Sequence, residues 1–469
     1  MKAAIDVGDG RFLVPGNRWD LLPSPSAPPR VSVVVPYFEQ QAQLDRLLTG
    51  IEAQTGHAEV VEVIVADDGS PRPPHVPPWY RGPPVTVVTQ ADEGIRPAAA
   101  RNLGVSRARG QVVVFLDGDM VPAPGYVAGM ARLPAVAPDT VVVGTRRHWD
   151  LESWDHCDVA RWLAGGPSPP SLPAPAWLAE GYRRSRDLVE VTDRSYQLVI
   201  GAVMATSVEF FREIGGFDAA ITEYGGEDWE FAHRAFQAGA LLAHVDAVAH
   251  HDGPEWRERV GPHGTKNPER RQVVRTIPGR HDPVIGPHPL VAVEIDLDGS
   301  PSGDDRPRDR PWSDEDRLVA TVAEFLRAGG TAVAVWLRGP VSDTTRDLLA
   351  HDARVRFGAL DRADTGASVV IDVLAPVELE TGAFDRLIDE VAPGTPGRTT
   401  VADDQGTLAR IRAPRVERRA RRWVDGADRP SAVADLSEDL FGPERRVGAA
   451  ETGLNRVRNA VDLARIFPR

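Results

Sequence analysis

Four short runs in this chain concentrate the side chains that do polar chemistry. Asp117-Gly118-Asp119 sets two carboxylates two residues apart, a spacing that lets both turn toward one point at a strand end. Hard divalent cations such as Mn2+ and Mg2+ take oxygen ligands and commonly bridge protein carboxylates to substrate phosphates. Gly118 leaves room for close backbone approach. Asp67-Asp68-Gly69-Ser70 can offer a carboxylate to a ribose or to the N–H of a uracil, although Asp-Gly is also an ordinary turn dipeptide. Gly225-Gly226-Glu227-Asp228-Trp229 adds two acids. They are either first-turn acids that satisfy free helix N–H groups or a general base in a glycine-opened pocket. His250-His251 supplies imidazoles, which suit Mn2+. Arg96 and Arg101 supply guanidinium groups that fit a diphosphate equally well as a helix surface.

Such groups work only if a scaffold brings them together, and the intervening patterns describe one. Val31–Val35, Val60–Val65, Val85–Val88 and Val112–Leu116 are short β-branched runs of the kind buried on both faces of a parallel sheet. Leu44, Leu47, Leu48 and Ile51 fall at helical spacing, and Pro97–Arg107 reads as an Ala-rich helix. Strand and helix alternate, which predicts a mixed, mostly parallel sheet with helices on both faces. The carboxyl edge of such a sheet is where ligands bind. Asp67-Asp68 and Asp117-Gly118-Asp119 stand at the ends of two of these strands. Further on, Leu198–Met204 and Leu241–Ala249 read as strands, and Val208–Ile214 and Trp229–Ala238 as helices.

A proline-rich linker, 23–29, separates an N-terminal lead-in from this domain, expected over 30–255. Residues 256–287 read as a connecting segment and 288–412 as a smaller α/β domain. Residues 413–469 read as an Arg-rich, partly helical tail. Val291–Leu297, Ala332–Leu337 and Ser368–Leu374 are the strands of the second domain, with helices Asp316–Ala328 and Thr344–His351 between them.

Composition removes other classes. A net charge of -14 argues against a general nucleic-acid binder. One cysteine, Cys157, permits no intrachain disulfide and reads as a small buried apolar residue. No apolar run approaches the ~20 residues of a membrane helix, and the N-terminus lacks a secretory signal, so a soluble cytoplasmic protein is expected. Trp149, Trp154, Trp162 and Trp177 read as packing rather than a sugar platform, and Arg415–Arg422 as a solvated helix face.

Taken in order, the runs resemble the GT-A fold of family 2 glycosyltransferases. The blocks are Val31-Ser32-Val33-Val34-Val35-Pro36-Tyr37-Phe38-Glu39, Val65-Ala66-Asp67-Asp68-Gly69-Ser70, Ala100-Arg101-Asn102-Leu103-Gly104 and Val114-Phe115-Leu116-Asp117-Gly118-Asp119. Ile214-Gly215-Gly216-Phe217-Asp218, Gly226-Glu227-Asp228-Trp229-Glu230 and a terminal histidine complete the set, over roughly half the chain. The resemblance implies a metal-dependent, inverting transferase that uses a nucleotide sugar, UDP-sugar being the family's usual donor. Pro36, Glu39 and Asp68 would border the nucleobase and ribose, with Arg96, Arg101 and Glu227 also on the donor side. Asp117 would reach ribose or metal-bound water, and Asp119 would bind Mn2+ or Mg2+ directly. His251 or His250 would be the second ligand, with His251 standing where family members place theirs. Asp228, with an ordinary carboxylate pKa, would be the base.

Two features depart from the family pattern. Phe38-Glu39 stands where Tyr-Asn is frequent, and the Gln-x-x-Arg-Trp motif of processive, membrane-embedded relatives is absent. A sugar-phosphate nucleotidyltransferase would need a glycine-rich basic loop after the first strand, and Pro36–Gln43 has none. An inactive nucleotide-sugar binding module would not be expected to keep Asp119, Asp228 and His251 together. The second domain is expected to bind the acceptor or to mediate dimerisation.

Overall fold

The computed structural model describes residues 3–222, 225–254, 267–280, 282, 286, 288–298, 312–362, 365–424, 429–458 and 460–466. Half of the expected connecting segment, 256–287, lies outside these residues. The chain divides into two units, Met1–Val273 and Val274–Arg469.

The first unit opens with a hairpin, β1 (Ile5–Gly8) and β2 (Arg11–Leu13). It continues through β3 (Arg30–Tyr37), α1 (Gln41–Glu52), β4 (Glu59–Asp67), β5 (Val85–Thr89), α2 (Pro97–Ser106), β6 (Val112–Leu116) and β7 (Met120–Pro122). Then come α3 (Tyr126–Val136), β8 (Thr140–Trp149), α4 (His156–Leu163), β9 (Ser171–Leu172), α5 (Ala176–Arg184), β10 (Val203–Ser207), α6 (Val208–Glu213), α7 (Glu227–Gln237) and β11 (Leu241–Asp252). The main sheet runs β5-β4-β3-β6-β10-β8-β11-β7, with β9 on β8. β5, β4, β3 and β6 are mutually parallel; β10 is antiparallel to both β6 and β8, and β11 is parallel to β8. Six strands therefore share one direction. Val31 to Val35 are fully buried, as their uninterrupted β-branched pattern requires of a strand covered on both faces.

The strand expected at Leu198–Met204 lies later, at Val203–Ser207. Residues Ser195–Leu198 instead form a 3-10 turn, and Ala202 O is taken by Asp117 N. The lead-in is not a separate extension. Leu13 and Val14 are buried, and the Asn17 amide donates to Leu188 O and Leu242 O and accepts from Leu242 N. Cys157 is exposed on α4 rather than buried.

The second unit holds a seven-stranded sheet. Val355–Phe357, Val333–Arg338, Val291–Asp296 and Val369–Val373 are parallel neighbours, followed by Gly406–Arg412, Arg398–Asp403 and Arg445–Gly448. One face carries the main apolar core with helix Glu315–Gly329. The other face is small and charged: Arg362 bridges Glu294 and Asp372, each at 2.6 Å. Residues after 413 are part of this unit rather than a tail, since Arg445–Gly448 joins the sheet and Leu454–Arg456 pairs with Val377–Leu379. The basic run is not a solvated face either. In helix Pro414–Arg422 a stripe of Arg415, Val416, Arg419 and Ala420 is buried.

Candidate functional site

Every strand that carries a chemistry-bearing residue ends at one edge of the first sheet. β6 delivers Asp117, and a turn closed by Met120 N donating to Asp117 O at 3.0 Å sends the chain back along β7. β7 pairs antiparallel with the end of β11, setting Met120 opposite His251, and Asp252 N donates to Asp119 O at 2.9 Å. The consequence is that His251 Nε2 lies 3.3 Å from Asp119 Oδ2. The other imidazole nitrogen, Nδ1, is 2.9 Å from Gly253 O. A carbonyl can only accept, so Nδ1 donates to it, and Nε2 is the ring nitrogen turned toward the carboxylate. Arg46 from α1 bonds Asp252 and Trp154 O, which fixes the strand end beyond the histidine.

His250 faces the other way, because successive side chains on a strand alternate. Its Nδ1 accepts from Trp149 Nε1 at 2.9 Å, and its ring packs 4.4 Å from that of Trp162. Burial, with Arg147 nearby, lowers its pKa to about 4. The tryptophan cluster is thus a packed support under β11, with Trp149, Trp154 and Trp162 grouped around Val121, Leu151 and Val159. Trp177 stays exposed and outside it.

The acids of the Gly-Gly-Glu-Asp run enter from α7, whose entry needs glycine at both Gly225 (φ 92°) and Gly226 (φ 94°). Arg101, on α2, is almost fully buried and donates to Asp117 Oδ1 at 2.8 Å and to Glu227 Oε1 at 2.9 Å. Burial opposes its charge, but the two carboxylates outweigh that and raise its pKa. Enclosed in this way, the guanidinium is a tie between two acids and is not presented to a diphosphate. Asp117 is raised from its ordinary value, first by burial and then by Asp119 and Glu227, with Arg101 opposing.

Asp228 stands beside this tie. Its Oδ2 accepts from Gly201 N at 3.1 Å and its Oδ1 from its neighbour Trp229 N at 2.8 Å. A Cβ on Gly201 would come within 3.2 Å of Asp228 Cβ and 3.4 Å of Arg101 Nη2, so the approach depends on glycine. Burial, and then repulsion from Glu227, push the Asp228 carboxyl up to about 7. The ordinary value expected from sequence does not hold, because a low-dielectric site disfavours the anion.

At the far end of the edge, Asp68 is buried and accepts from Gln90 Nε2 at 2.6 Å and Arg96 N at 2.7 Å. The Arg96 guanidinium folds back on Glu93 and Ala91 O. Gly69 (φ 81°) must be glycine, since a Cβ would lie 2.3 Å from Asp92 N. Glu39 N donates to Ser70 Oγ, joining the ends of β3 and β4, while the Glu39 carboxylate turns to the exposed Arg72 at 2.9 Å. Pro36 is half-buried, and its carbonyl would be 3.7 Å from a Cβ on Gly118; Gln40 Oε1 would be 2.8 Å away. Gln40, Gln90, Gly201 and Gly253 were not singled out in the sequence. Their partners are 22 to 100 residues away or lie on the backbone, and no local motif marks them.

Residues 32–160 match the model of glycosyl transferase family 2. By that match, this stretch of the first unit is a family 2 glycosyltransferase domain. Residues 189–252 also match the model described as the N-terminal domain of galactosyltransferase. The chain is 27% identical over 247 residues to the hyaluronan synthase of Pasteurella multocida, covering 49% of this chain and 25% of that protein. It is 30% identical over 225 residues to the validoxylamine A glucosyltransferase of Streptomyces hygroscopicus subsp. limoneus, covering 45% and 49%. The chain thus spans from a quarter to about half the length of these curated relatives. A solved structure of GalNAc-T7 with UDP, GalNAc and Mn2+ aligns with a TM-score of 0.36 and 20% identity, over 49% of this chain and 44% of that one. Among the described residues no helix is long and apolar enough to cross a membrane.

Proposed function

We propose that the family 2 unit moves a sugar from a nucleoside-diphosphate sugar, with UDP-sugars first among the candidates, to a hydroxyl or other nucleophile, inverting the anomeric centre. One observation carries the reading. The Asp119 carboxylate and Nε2 of His251 face each other across the β7–β11 pair, with Nδ1 held by Gly253 O. An oxygen and a neutral imidazole at that separation suit Mn2+ or Mg2+. Asp119 and His251 would hold the ion, and His250 would not. When bound, such an ion neutralises charge that builds on a departing diphosphate.

The chain's own groups then divide the remaining work. Asp68, Pro36 and the loop joined by Ser70 and Glu39 line the edge where a base and ribose would rest. Arg101 holds Asp117 and Glu227 in fixed positions. Asp228 takes the acceptor's proton at Oδ1 or Oδ2, and a carboxyl raised to about 7 is matched to proton transfer near neutral pH. Inversion follows from the family resemblance, as a single displacement with base and leaving group on opposite sides.

Relatives named as a polysaccharide synthase and as a small-molecule glucosyltransferase leave the acceptor class to be found as a glycan, a natural product or a peptide. The test is nucleoside-diphosphate release from a panel of UDP-, GDP- and dTDP-sugars with and without Mn2+ or Mg2+. Metal-stimulated release from one donor supports the reading. Binding without release from any donor would favour an inactive nucleotide-sugar module.

A further inference from the structure

A second polar cavity lies in the first unit, away from the acids of the sheet edge. It measures about 710 Å³ and is lined by Trp19, Arg132, Thr145, Asp187, His244 and Asp246, among others. That volume is within the ~300–1,000 Å³ range of small-molecule sites. Val248 also lines it, three residues before His251 on β11, so its near edge lies ~10 Å along the strand from the Asp119–His251 pair.

The lining is organised rather than accidental. His244 Nδ1 is 2.8 Å from Asp187 Oδ1 and its Nε2 is 3.1 Å from Thr145 Oγ1, while its ring lies flat on Tyr182 with centroids 3.6 Å apart. Trp19 Nε1 donates to Asp187 O at 3.1 Å, which sets the indole at the rim. Asp187 is placed there by three consecutive left-handed residues, Arg186 (φ 50°), Asp187 (φ 58°) and Leu188 (φ 67°). Aspartate tolerates that region, but arginine and leucine do not, at ~1–2 kcal/mol each. Strain of this kind concentrates at ligand clamps. Arg132 has no carboxylate partner among the described residues; its one hydrogen bond is to Leu22 O at 3.5 Å. Tyr126, whose buried hydroxyl has no partner among the described residues, also lines the cavity.

A flat indole, a pinned imidazole, two carboxylates and a guanidinium held by no carboxylate among the described residues make, around an open cavity, a surface for pyranose rings. Aromatic faces cover the C–H side of a sugar, and the charged groups accept and donate to its hydroxyls. Two carboxylates against one guanidinium leave the lining net negative, since burial keeps His244 below its ordinary pKa and neutral. We propose that this cavity is a binding site for a neutral oligosaccharide, engaged as part of the acceptor of the transferase reaction. The proposal rests on the reading of the first unit as a sugar transferase, and its test is separate from that reading's test.

The experiment is a titration of the full chain, free of nucleotide, with chitotetraose, maltotetraose and a hyaluronan tetrasaccharide, read by calorimetry and by tryptophan fluorescence. At least one neutral tetrasaccharide is expected to bind more tightly than the uronate-bearing one. Trp19→Ala and Asp246→Asn should each weaken that binding about tenfold, or ~1.4 kcal/mol. Asp246 is exposed, so its asparagine variant keeps the fold and guards against a misfolded Trp19 variant. Metal-stimulated nucleotide release from donor alone should be unchanged in both variants. Loss of that release in the parent protein would overturn the transferase reading and not the cavity. No binding of any of the three sugars, tighter binding of the uronate, or full affinity in both variants would overturn the cavity.

Discussion

Replacing Asp228 by asparagine should separate its chemical role from its structural one. In the folded chain this carboxyl titrates near 7, against 3.8 for the free side chain. Between those values the folded state holds a proton that the unfolded state has lost. Stability therefore falls as pH rises from about 4 to 7, and the deficit is full above 7. The difference of about 3 units corresponds to ~4 kcal/mol as an upper bound. The amide keeps one acceptor oxygen, so it can accept from either Gly201 N or Trp229 N but not both, and the lost bond takes back part of it. Asp228→Asn should thus be more stable than the parent by roughly 1–3 kcal/mol at pH 8, and no more stable at pH 4. Urea unfolding at the two pH values, without metal or nucleotide, measures this. For activity, kcat/KM at saturating metal should rise with unit slope to an inflection near 7. The parent should be ~100-fold slower at pH 5 than on the plateau, and the asparagine variant should lie ~10²–10⁴-fold below the plateau with no such limb. An inflection below pH 5, or an asparagine variant equally destabilised at both pH values, would refute the reasoning.

Asp119→Ala should weaken donor binding only when Mn2+ or Mg2+ is present; an equal loss without metal, measured by thermal shift, counts against coordination. His251→Ala should abolish the metal response in the same assay, whereas His250→Phe should keep it and lower stability by ~1–2 kcal/mol through the orphaned Trp149 N–H. Arg101→Met should leave the buried Glu227 and the half-buried Asp117 without their partner and cost ~3 kcal/mol, seen as a lower midpoint in urea. Gly69→Ala should destabilise by ~1–3 kcal/mol and raise the donor KM, because the loop carrying Asp92 must move.

Strands made of unbroken valine were legible, because burial on both faces leaves a pattern that needs no partner to interpret. β3 and β6 sit within two residues of their expected ends. α3 was not, since Gly129 and Pro134 interrupt its pattern and only its packing against β8 and β11 accounts for it. Gly406–Arg412 alternates arginine with buried Leu408 and Ile411, and reads as polar until Asp372 is seen to pair with Arg412. In the site, the carboxylates were visible as motifs, but their states were not. Burial and the Arg101 tie set the protonation of Asp228 and Asp117, and both depend on residues over 100 positions apart in the chain. The choice between His250 and His251 was open for the same reason, and strand alternation against β7 decides their orientations.

Asn17 has a practical meaning for anyone who trims this protein. The proline run at 23–29 invites a cut at residue 30, yet the segment before it supplies three hydrogen bonds to the backbone of Leu188 and Leu242 and buries Leu13 and Val14. A shortened version would expose apolar surface and release the strained Arg186–Leu188 turn, and it would lose Trp19 as well. Poor solubility of such a fragment would then report a removed structural part, not an unstable catalytic unit. The useful boundary is the one that cuts the fewest contacts, and here it is not where the composition changes.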